Sequence, residues 1–257
     1  MLISTIVAQK GGVSKTTTAA TLAAALAERG SRILCIDLNE QADLTDTLAA
    51  AEGTGGSLEL FAGTPAAELI RPTANKNIDV IAGADNLATL EAVVSKASKG
   101  KAFILRAALK PIRRKYDYCI IDAPGAFNSA FLNALAAADS LIIPAQADYY
   151  SLKNIPTLIK NIRYVKSELN PGLSVDGILL TRYQGRRNIS KTAVETLEAA
   201  REALETRVFK TKIRENSKIA EAPGHRQSVL TYAPSSNGAK DYRAFIEEYM
   251  EILQGRK

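Results

Sequence analysis

The sequence lacks tryptophan and is poor in aromatic residues, which make up 6% of its 257 positions. Broad surfaces for stacking nucleic-acid bases are therefore not expected. Cysteine is also scarce, and both examples, Cys35 and Cys119, lie inside apolar runs. Because a disulfide framework or an iron–sulfur site needs more cysteines, we interpret these two as buried, reduced thiols. The single histidine, His225, has no evident nucleophile or metal cluster around it, so we expect it to be structural.

Long hydrophobic runs are missing as well. No apolar stretch reaches the roughly 20 residues that cross a bilayer, and the chain begins with an apolar run rather than a charged leader. We therefore expect a cytoplasmic protein. The hydrophobic fraction of 46% and the charged fraction of 23% are typical of soluble globular proteins. The length favours one α/β domain, spanning residues 1–257, with a substantial core.

The net charge of +6 is distributed unevenly. Residues 96–115 contain eight Lys and Arg and no acidic residue, and residues 182–226 contain eleven Lys and Arg against six Glu. Two basic segments on an otherwise acidic chain favour a polyanionic partner. The alternative explanation is a pair of solvated helix faces.

Short runs rich in Ile, Val and Leu alternate with helical patterns along the chain. The runs predict strands covered on both faces, at residues 2–8, 33–37, 78–81, 118–122, 140–144, 175–181 and 208–212. Helices are predicted at residues 16–29, 101–115, 129–138, 152–168, 190–204 and 239–253. This order indicates an α/β fold with a mostly parallel, twisted sheet, helices on both faces and right-handed crossovers. We interpret the glycine-rich segment 54–63 as a surface connection.

A glycine-containing loop lies between the first predicted strand and the first predicted helix. Its sequence is Lys10-Gly11-Gly12-Val13-Ser14-Lys15-Thr16-Thr17. In this context, backbone N–H groups and the helix N-terminus form a cradle for phosphate. Lys15 would neutralise β- and γ-phosphate charge, and Thr16 would offer its hydroxyl to Mg²⁺. The general pattern G-x-x-x-x-G-K-[ST] is not met, because Gln9 and Ser14 occupy the two glycine positions.

Residues 10–16 resemble the deviant Walker A loop, K-G-G-x-x-K-[ST], of the ParA/MinD family of ATPases. The resemblance continues over nearly the whole chain and implies a single-domain P-loop NTPase fold that binds ATP and Mg²⁺ at residues 10–17. It also implies that Lys10 reaches across a nucleotide-sandwich homodimer to the partner's phosphates. A second cation there would stabilise charge in phosphoryl transfer, as an arginine finger does. The predicted catalytic residues are Lys10, Lys15 and Asn39.

Two further predicted strands end in aspartate, at Asp37 and Asp122. They are similar to the family's D-x-D-P-Q and D-x-P-P segments. The resemblance implies that Asp37 lies near the Mg²⁺ shell and that Asp122 holds Mg²⁺ through water, so the predicted metal residues are Thr16, Asp37 and Asp122. The family's water-orienting Asp is replaced by Asn39. An amide cannot accept a proton or carry negative charge, so we expect an ATPase with slow or absent turnover and intact ATP binding.

The resemblance also implies partners. Family members bind DNA without sequence specificity through basic residues of the second half, and these positions match Arg186 and Lys218. Arg187, Lys191 and Arg214 are nearby candidates. We therefore expect an ATP-dependent, dimerising switch that binds double-stranded DNA, associates with the nucleoid and drives plasmid or chromosome segregation with a ParB-like adaptor.

Three alternatives to DNA segregation stay open at the level of sequence. A relative of the ParA proteins could position a cargo other than DNA with the same chemistry. A MinD-like membrane switch would need a basic amphipathic C-terminal helix, whereas residues 241–257 carry Glu247, Glu248 and Glu251. The third is a binding switch that rarely hydrolyses ATP.

Overall fold

A computed structural model describes residues 1–83, 87–96, 100–146, 148, 153–184 and 191–255. Within these ranges, seven strands form a sheet in the order β3-β4-β2-β5-β1-β6-β7. Every neighbouring pair is parallel except β3 and β4. The strands are β1 (Leu2–Ile6), β2 (Ile33–Asp37), β3 (Ile70–Pro72), β4 (Ile78–Ile81), β5 (Tyr118–Asp122), β6 (Ser140–Ala145) and β7 (Ser174–Leu180).

Helices connect the strands and cover both faces of the sheet. They are α1 (Lys15–Glu28), α2 (Asp43–Thr47), α3 (Ser57–Ala62), α4 (Ala66–Leu69), α5 (Leu87–Lys96), α6 (Ile104–Leu109), α7 (Ser129–Ala137), α8 (Ile155–Glu168), α9 (Lys191–Ala203), α10 (Ser217–Glu221), α11 (Val229–Tyr232) and α12 (Asn237–Gln254). Short 3₁₀ helices occupy Lys101–Phe103, Lys110–Ile112 and Ala222–His225. The predicted α/β class with a mostly parallel sheet is confirmed.

The central strands are apolar at successive positions because each strand supplies two cores. Side chains alternate between the faces of a sheet. Leu34 and Ile36 accordingly join a core with α5 to α9, whereas Ile33 and Cys35 join a second core with α1 and α12. Cys35 and Cys119 are both free and fully buried, as predicted, and burial is the main cause that raises the pKa of each thiol.

The segment 208–212 is not a strand, and this prediction was wrong. It meets β7 at an isolated bridge, where Phe209 donates its N–H to the Ile178 carbonyl at 3.0 Å. The next two backbone N–H groups, of Lys210 and Thr211, donate to the Glu248 carboxylate at 2.8 and 2.9 Å. The Glu248 side chain of α12 therefore accepts the Thr211 N–H, which a ladder continuing from Phe209 along β7 would have used.

Two other predictions needed correction. The helix predicted at 101–115 is divided, because Pro111 has no N–H and α6 gives way to a 3₁₀ turn at Lys110. The segment 54–63 contains α3 rather than only a surface connection. The Glu59 side chain accepts the Gly56 N–H at 2.6 Å and so caps this helix.

Candidate nucleotide site

The predicted site residues lie at the carboxyl ends of three adjacent strands. The strands β2, β5 and β1 are neighbours, and Asp122 is in register with both Asp37 and Ile6. The glycine loop leaves β1 at the same edge. Ligands of open, parallel α/β sheets bind at this edge, so the sheet order alone brings the loop and the two aspartates together.

The glycine loop leads directly into α1. Gly12 and Ser14 have φ angles of 74° and 66°, and α1 begins at Lys15. A Cβ placed on Gly11 or Gly12 would have nothing within 4 Å, so the backbone there faces open space. Neighbouring elements hold the loop, since Thr181 Oγ1 donates to the Val13 carbonyl at 3.1 Å and Gln146 Nε2 to that of Gly12 at 2.9 Å. The 14-residue helix directs its N-terminus at this space, as an anion site requires.

Asp122 is fully buried beneath the loop. Its Oδ2 accepts a hydrogen bond from the Thr16 hydroxyl at 2.6 Å, whereas its Oδ1 is buried without a hydrogen-bond partner. Burial, and then the charge of Asp37, raises the pKa of Asp122 to about 7. An unpartnered carboxylate oxygen beside a hydroxyl fits Mg²⁺, which prefers oxygen ligands and keeps waters and phosphates for its other positions. The described residues form no cluster of three or more His, Cys, Asp or Glu that could hold a metal ion.

Asp37 is also fully buried, but its oxygens are engaged by the residues that follow β2. Oδ1 accepts the Asn39 N–H at 3.1 Å, and Oδ2 accepts the Thr45 N–H at 3.0 Å and the Thr45 hydroxyl at 2.8 Å. The Thr45 oxygen in turn accepts the Gly83 N–H at 3.0 Å. Burial raises the pKa of Asp37 despite these bonds. In this arrangement Asp37 fixes the turn that carries Asn39.

Asn39 lines the cleft, and its amide has a specific contact. Its Nδ2 donates to the backbone carbonyl of Asp122 at 3.3 Å. A carboxylate at this position has no donor for that carbonyl. The amide is therefore compatible with the two buried aspartates next to it.

Lys10 contacts its own chain. Its Nζ lies 2.9 and 2.8 Å from the two oxygens of Asp148 and 3.5 Å from Gln146 Oε1. Both ion-pair partners are part-exposed, with 28% and 39% of their side chains accessible. The sequence did not predict an acidic partner for Lys10 within the same chain.

The cleft beside the loop has a volume of about 640 Å³. One end is formed by loop and α1 residues, including Lys15, Thr16 and Thr17. The opposite wall comes from the segment after residue 212, and its lining includes Ile213, Arg214 and Pro223. If phosphates occupied the loop, the nucleoside of the same nucleotide would lie against this wall.

The predicted DNA contacts are only partly described. Arg186 and Arg187 lie outside the described residues, and Lys191 is described in its backbone alone as the first residue of α9. Arg214 lies against Asp241, with Nη2 2.7 Å from Oδ1, and it also lines the nucleotide cleft. Lys218 pairs with Glu221 at 2.7 Å. Both described cations are thus exposed but already paired within the chain.

Sequence reasoning missed Thr45, Asp43 and Asp148. Thr45 holds Asp37, Asp43 lines the cleft, and Asp148 pairs with Lys10. The first two follow β2 closely, and the position of a strand end next to the cleft was the only available signal for them. Asp148 is remote in sequence from the loop, and nothing in the local pattern connects the two.

The fold and the loop define a P-loop nucleotide-binding protein, and comparison with known proteins identifies its family. Residues 1–175 match the family model described as AAA domain. The chain is 33% identical over 249 residues to the sporulation initiation inhibitor protein Soj of Bacillus subtilis, covering 96% of this chain and 97% of Soj. It is 37% identical over 246 residues to the chromosome partitioning protein ParA of Myxococcus xanthus, covering 95% and 86%. The chain belongs to the ParA/Soj family of ATPases.

A solved structure supports the fold and the cofactor pair. The Mycobacterium smegmatis cobyrinic acid a,c-diamide synthase with bound ATP analogue and magnesium is similar with a TM-score of 0.83 and 26% identity, covering 100% of this chain and 97% of that one. The predicted P-loop ATPase class is thereby confirmed, and ATP with Mg²⁺ is the cofactor pair of this class. None of the helices in the described ranges is both long and apolar enough to cross a membrane.

Proposed function

We propose that the protein is a DNA-segregation ATPase, which forms a homodimer on binding ATP and then binds double-stranded DNA without sequence preference. A ParB-like adaptor would stimulate hydrolysis and release. The observation that carries this proposal is full-length similarity to chromosome-partitioning proteins, combined with Lys10 and Lys15 at the two ends of one loop. The cargo is a plasmid or a chromosome, and the protein is cytoplasmic and nucleoid-associated when ATP-bound.

The site residues have distinct roles in this proposal. Backbone N–H groups of residues 11–17 hold the phosphates, with Lys15 against the β- and γ-phosphates. Asp122 and the Thr16 hydroxyl would hold Mg²⁺, with Asp37 behind them. The cation, when bound, neutralises charge that develops on the transferred phosphoryl group. Lys10 leaves Asp148 and supplies the second cation to the partner's phosphates.

Dimerisation is tested by light scattering after gel filtration, with and without ATP and Mg²⁺. The parent chain is expected to elute as a dimer only with nucleotide, and Lys10→Ala is expected to remain a monomer while still binding a fluorescent ATP analogue. Lys76→Ala is the matched control. Lys76 is an exposed lysine in the turn before β4, at the amino ends of the parallel strands and so away from the glycine loop. A nucleotide-dependent dimer of Lys10→Ala would contradict the role of this lysine.

DNA binding is tested by fluorescence anisotropy with two unrelated duplexes at several salt concentrations. Phosphate contacts make the logarithm of the binding constant fall linearly with the logarithm of the salt concentration, with a slope of about −0.9 per phosphate neutralised. Removing the two basic side chains in Arg186→Ala/Lys218→Ala should weaken binding to both duplexes equally and reduce the slope by about 2. An unchanged slope would defeat the assignment, and a difference between the duplexes would contradict sequence-independent binding.

Hydrolysis is proposed to be slow because Asn39 replaces a carboxylate. Asn39→Asp is expected to raise ATP turnover about tenfold or more, since general-base groups contribute roughly 10²–10⁴-fold where they act fully. The same change removes the 3.3 Å amide contact to the Asp122 carbonyl and places a third carboxylate beside two buried ones. We therefore expect faster turnover together with a lower stability of the nucleotide-free chain. Robust DNA- or partner-stimulated turnover of the parent chain would overturn the proposal.

The structure bears on the membrane alternative. The apolar face of α12 is packed into the second core, with Tyr242, Phe245, Ile246 and Tyr249 buried. Insertion of this helix into a bilayer would expose that core, so we favour DNA over a lipid surface. Sedimentation with anionic vesicles in ATP tests this choice, and nucleotide-dependent co-sedimentation would favour the membrane switch. A cargo other than DNA would leave the dimer and DNA experiments unchanged.

A further inference from the structure

Hydrolysis of ATP is accelerated by a group that orients the attacking water and accepts its proton, and Asn39 can do only the first of these. Its amide can donate to or accept from water, but it cannot take up a proton. The chain nevertheless belongs to an ATPase family. An accessible carboxylate elsewhere in the cleft, not already engaged, could supply the missing proton acceptor.

Four carboxylates lie in or beneath the described part of the cleft. Asp37 and Asp122 are fully buried below it, where Thr45 engages Asp37 and where Asp122 lies at the proposed Mg²⁺ position beside Thr16. Glu215 lines the cleft on the wall away from the loop, where it is bonded to Arg182 and Gln184. The remaining carboxylate is Asp43, which is exposed and lines the cleft together with Lys15, Thr16 and Asn39.

The backbone places Asp43 on the same wall as Asn39. Between them lies a tight turn in which the Ala42 N–H donates to the Asn39 carbonyl at 3.2 Å. Ala42 has a φ of 51°, and α2 begins at the next residue, Asp43. Hydrogen bonds from Asn39 and Thr45 to Asp37 fix both ends of this turn. No hydrogen bond or ion pair among the described residues engages the Asp43 carboxylate, which leaves its oxygens available to a water in the cleft.

We propose that Asp43 supplies the carboxylate that orients the attacking water and accepts its proton in the turnover that this chain retains. The inference rests on the proposed ATPase cycle and names a catalytic residue for it. The water's oxygen would form the new bond to the γ-phosphorus as the bond to the ADP oxygen breaks, and the water's proton would pass to the Asp43 carboxylate. The charge of Asp43 also contributes to raising the pKa of both Asp37 and Asp122, which places it within electrostatic reach of the Mg²⁺ side of the cleft.

A purely structural role is the competing explanation, because an acidic residue in the first turn stabilises the helix dipole. Asp46 lies in the same turn of α2 and provides the matched control. It is exposed and pairs with Arg226 at 3.2 Å, and it does not line the cleft. Asp46→Asn removes the same charge from the same helix without removing a carboxylate from the site.

The test measures single-turnover ATP hydrolysis and the affinity for a fluorescent ATP analogue, without DNA or adaptor. Asp43→Asn is expected to lower the hydrolysis rate at least tenfold while nucleotide affinity stays within about threefold of the parent. Asp46→Asn should change neither quantity by more than about twofold, and Asp43→Glu should recover part of the rate. In the Asn39→Asp background, Asp43→Asn should cost much less, because a second carboxylate is then available.

Three outcomes would overturn the inference. One is an Asp43→Asn rate within twofold of the parent, and another is an equal loss in Asp46→Asn. The third is a parent chain that binds nucleotide but hydrolyses no ATP, because Asp43 would then have no reaction to catalyse. None of these outcomes affects dimerisation or DNA binding, so the proposed segregation function can fail or succeed separately.

Discussion

Substitution of Thr45 by valine tests how the turn after β2 is held. Valine keeps the shape of threonine but removes the hydroxyl, which donates to Asp37 Oδ2 at 2.8 Å and accepts the Gly83 N–H at 3.0 Å. Asp37 keeps the Thr45 backbone N–H, whereas the Gly83 N–H loses the partner that the structure gives it. The change therefore removes two hydrogen bonds, one of them to a buried carboxylate.

The expected cost follows from these two bonds. A hydrogen bond to a charged group contributes about 1.5–3 kcal/mol and a neutral one about 0.5–1.5 kcal/mol, so Thr45→Val should lose roughly 2–4 kcal/mol of unfolding free energy. Urea denaturation of the nucleotide-free chain measures this as a lower midpoint with an unchanged slope. Thr45→Ser retains the hydroxyl and should recover most of the loss.

A second readout separates the site from general stability. Because Thr45 fixes Asp37 and the turn that carries Asn39, the Mg²⁺ concentration needed for half-maximal binding of an ATP analogue should rise several-fold in Thr45→Val. Thr45→Ser should leave it near the parent value. A loss of less than about 0.5 kcal/mol in Thr45→Val, which is typical of inconsequential surface changes, would refute the argument.

Two further predictions concern the same region. In Gly83→Ala the new Cβ would stand 2.7 Å from the Asn39 carbonyl oxygen, so we expect urea denaturation to show a loss of about 1–3 kcal/mol of unfolding free energy. Gly224→Ala is the control and should be near neutral, because a Cβ there meets nothing within 4 Å. Equal losses in the two variants would contradict the clash. The second concerns pH. Because burial raises the pKa of Asp122 from 3.8 to about 7, the folded chain holds the proton of this carboxyl more tightly than the unfolded chain does. The unfolding free energy that this proton contributes is therefore lost as pH rises through 7. In EDTA, the Tm of Asp122→Asn minus that of the parent should therefore increase between pH 5 and pH 8, and a difference independent of pH would contradict it.

The strands that build the site were predictable because they are buried on both faces. Residues 33–37 and 118–122 are continuous apolar runs ending in aspartate, and both appear as strands with these bounds. Parallel neighbours bring their carboxyl ends together, so the proximity of Asp37, Asp122 and the glycine loop followed from the β–α order. At the sheet edge the same reasoning failed, because Glu248 of a distant helix accepts the Thr211 N–H that a ladder on β7 would have used.

The contacts of individual side chains could not be predicted in the same way. The hydrogen bonds of Thr45 depend on a positive φ at Ala42, a residue type that seldom adopts this conformation. The pairing of Lys10 with Asp148 depends on where the chain travels after β6, which no local pattern specifies. Motifs therefore predicted the position of the candidate site, whereas the hydrogen bonds and ion pairs within it depend on how the whole chain packs.

The ion pair of Lys10 and Asp148 bears on how fast the proposed dimer would form. Part-exposed ion pairs of this kind contribute only about 0–1 kcal/mol to stability. The pair therefore holds the Lys10 side chain only weakly. In the proposed dimer, the phosphates of the second molecule would therefore have to displace only a weak intramolecular partner of Lys10. The association rate of ATP-bound monomers in the proposed cycle would consequently depend on Asp148 as well as on Lys10.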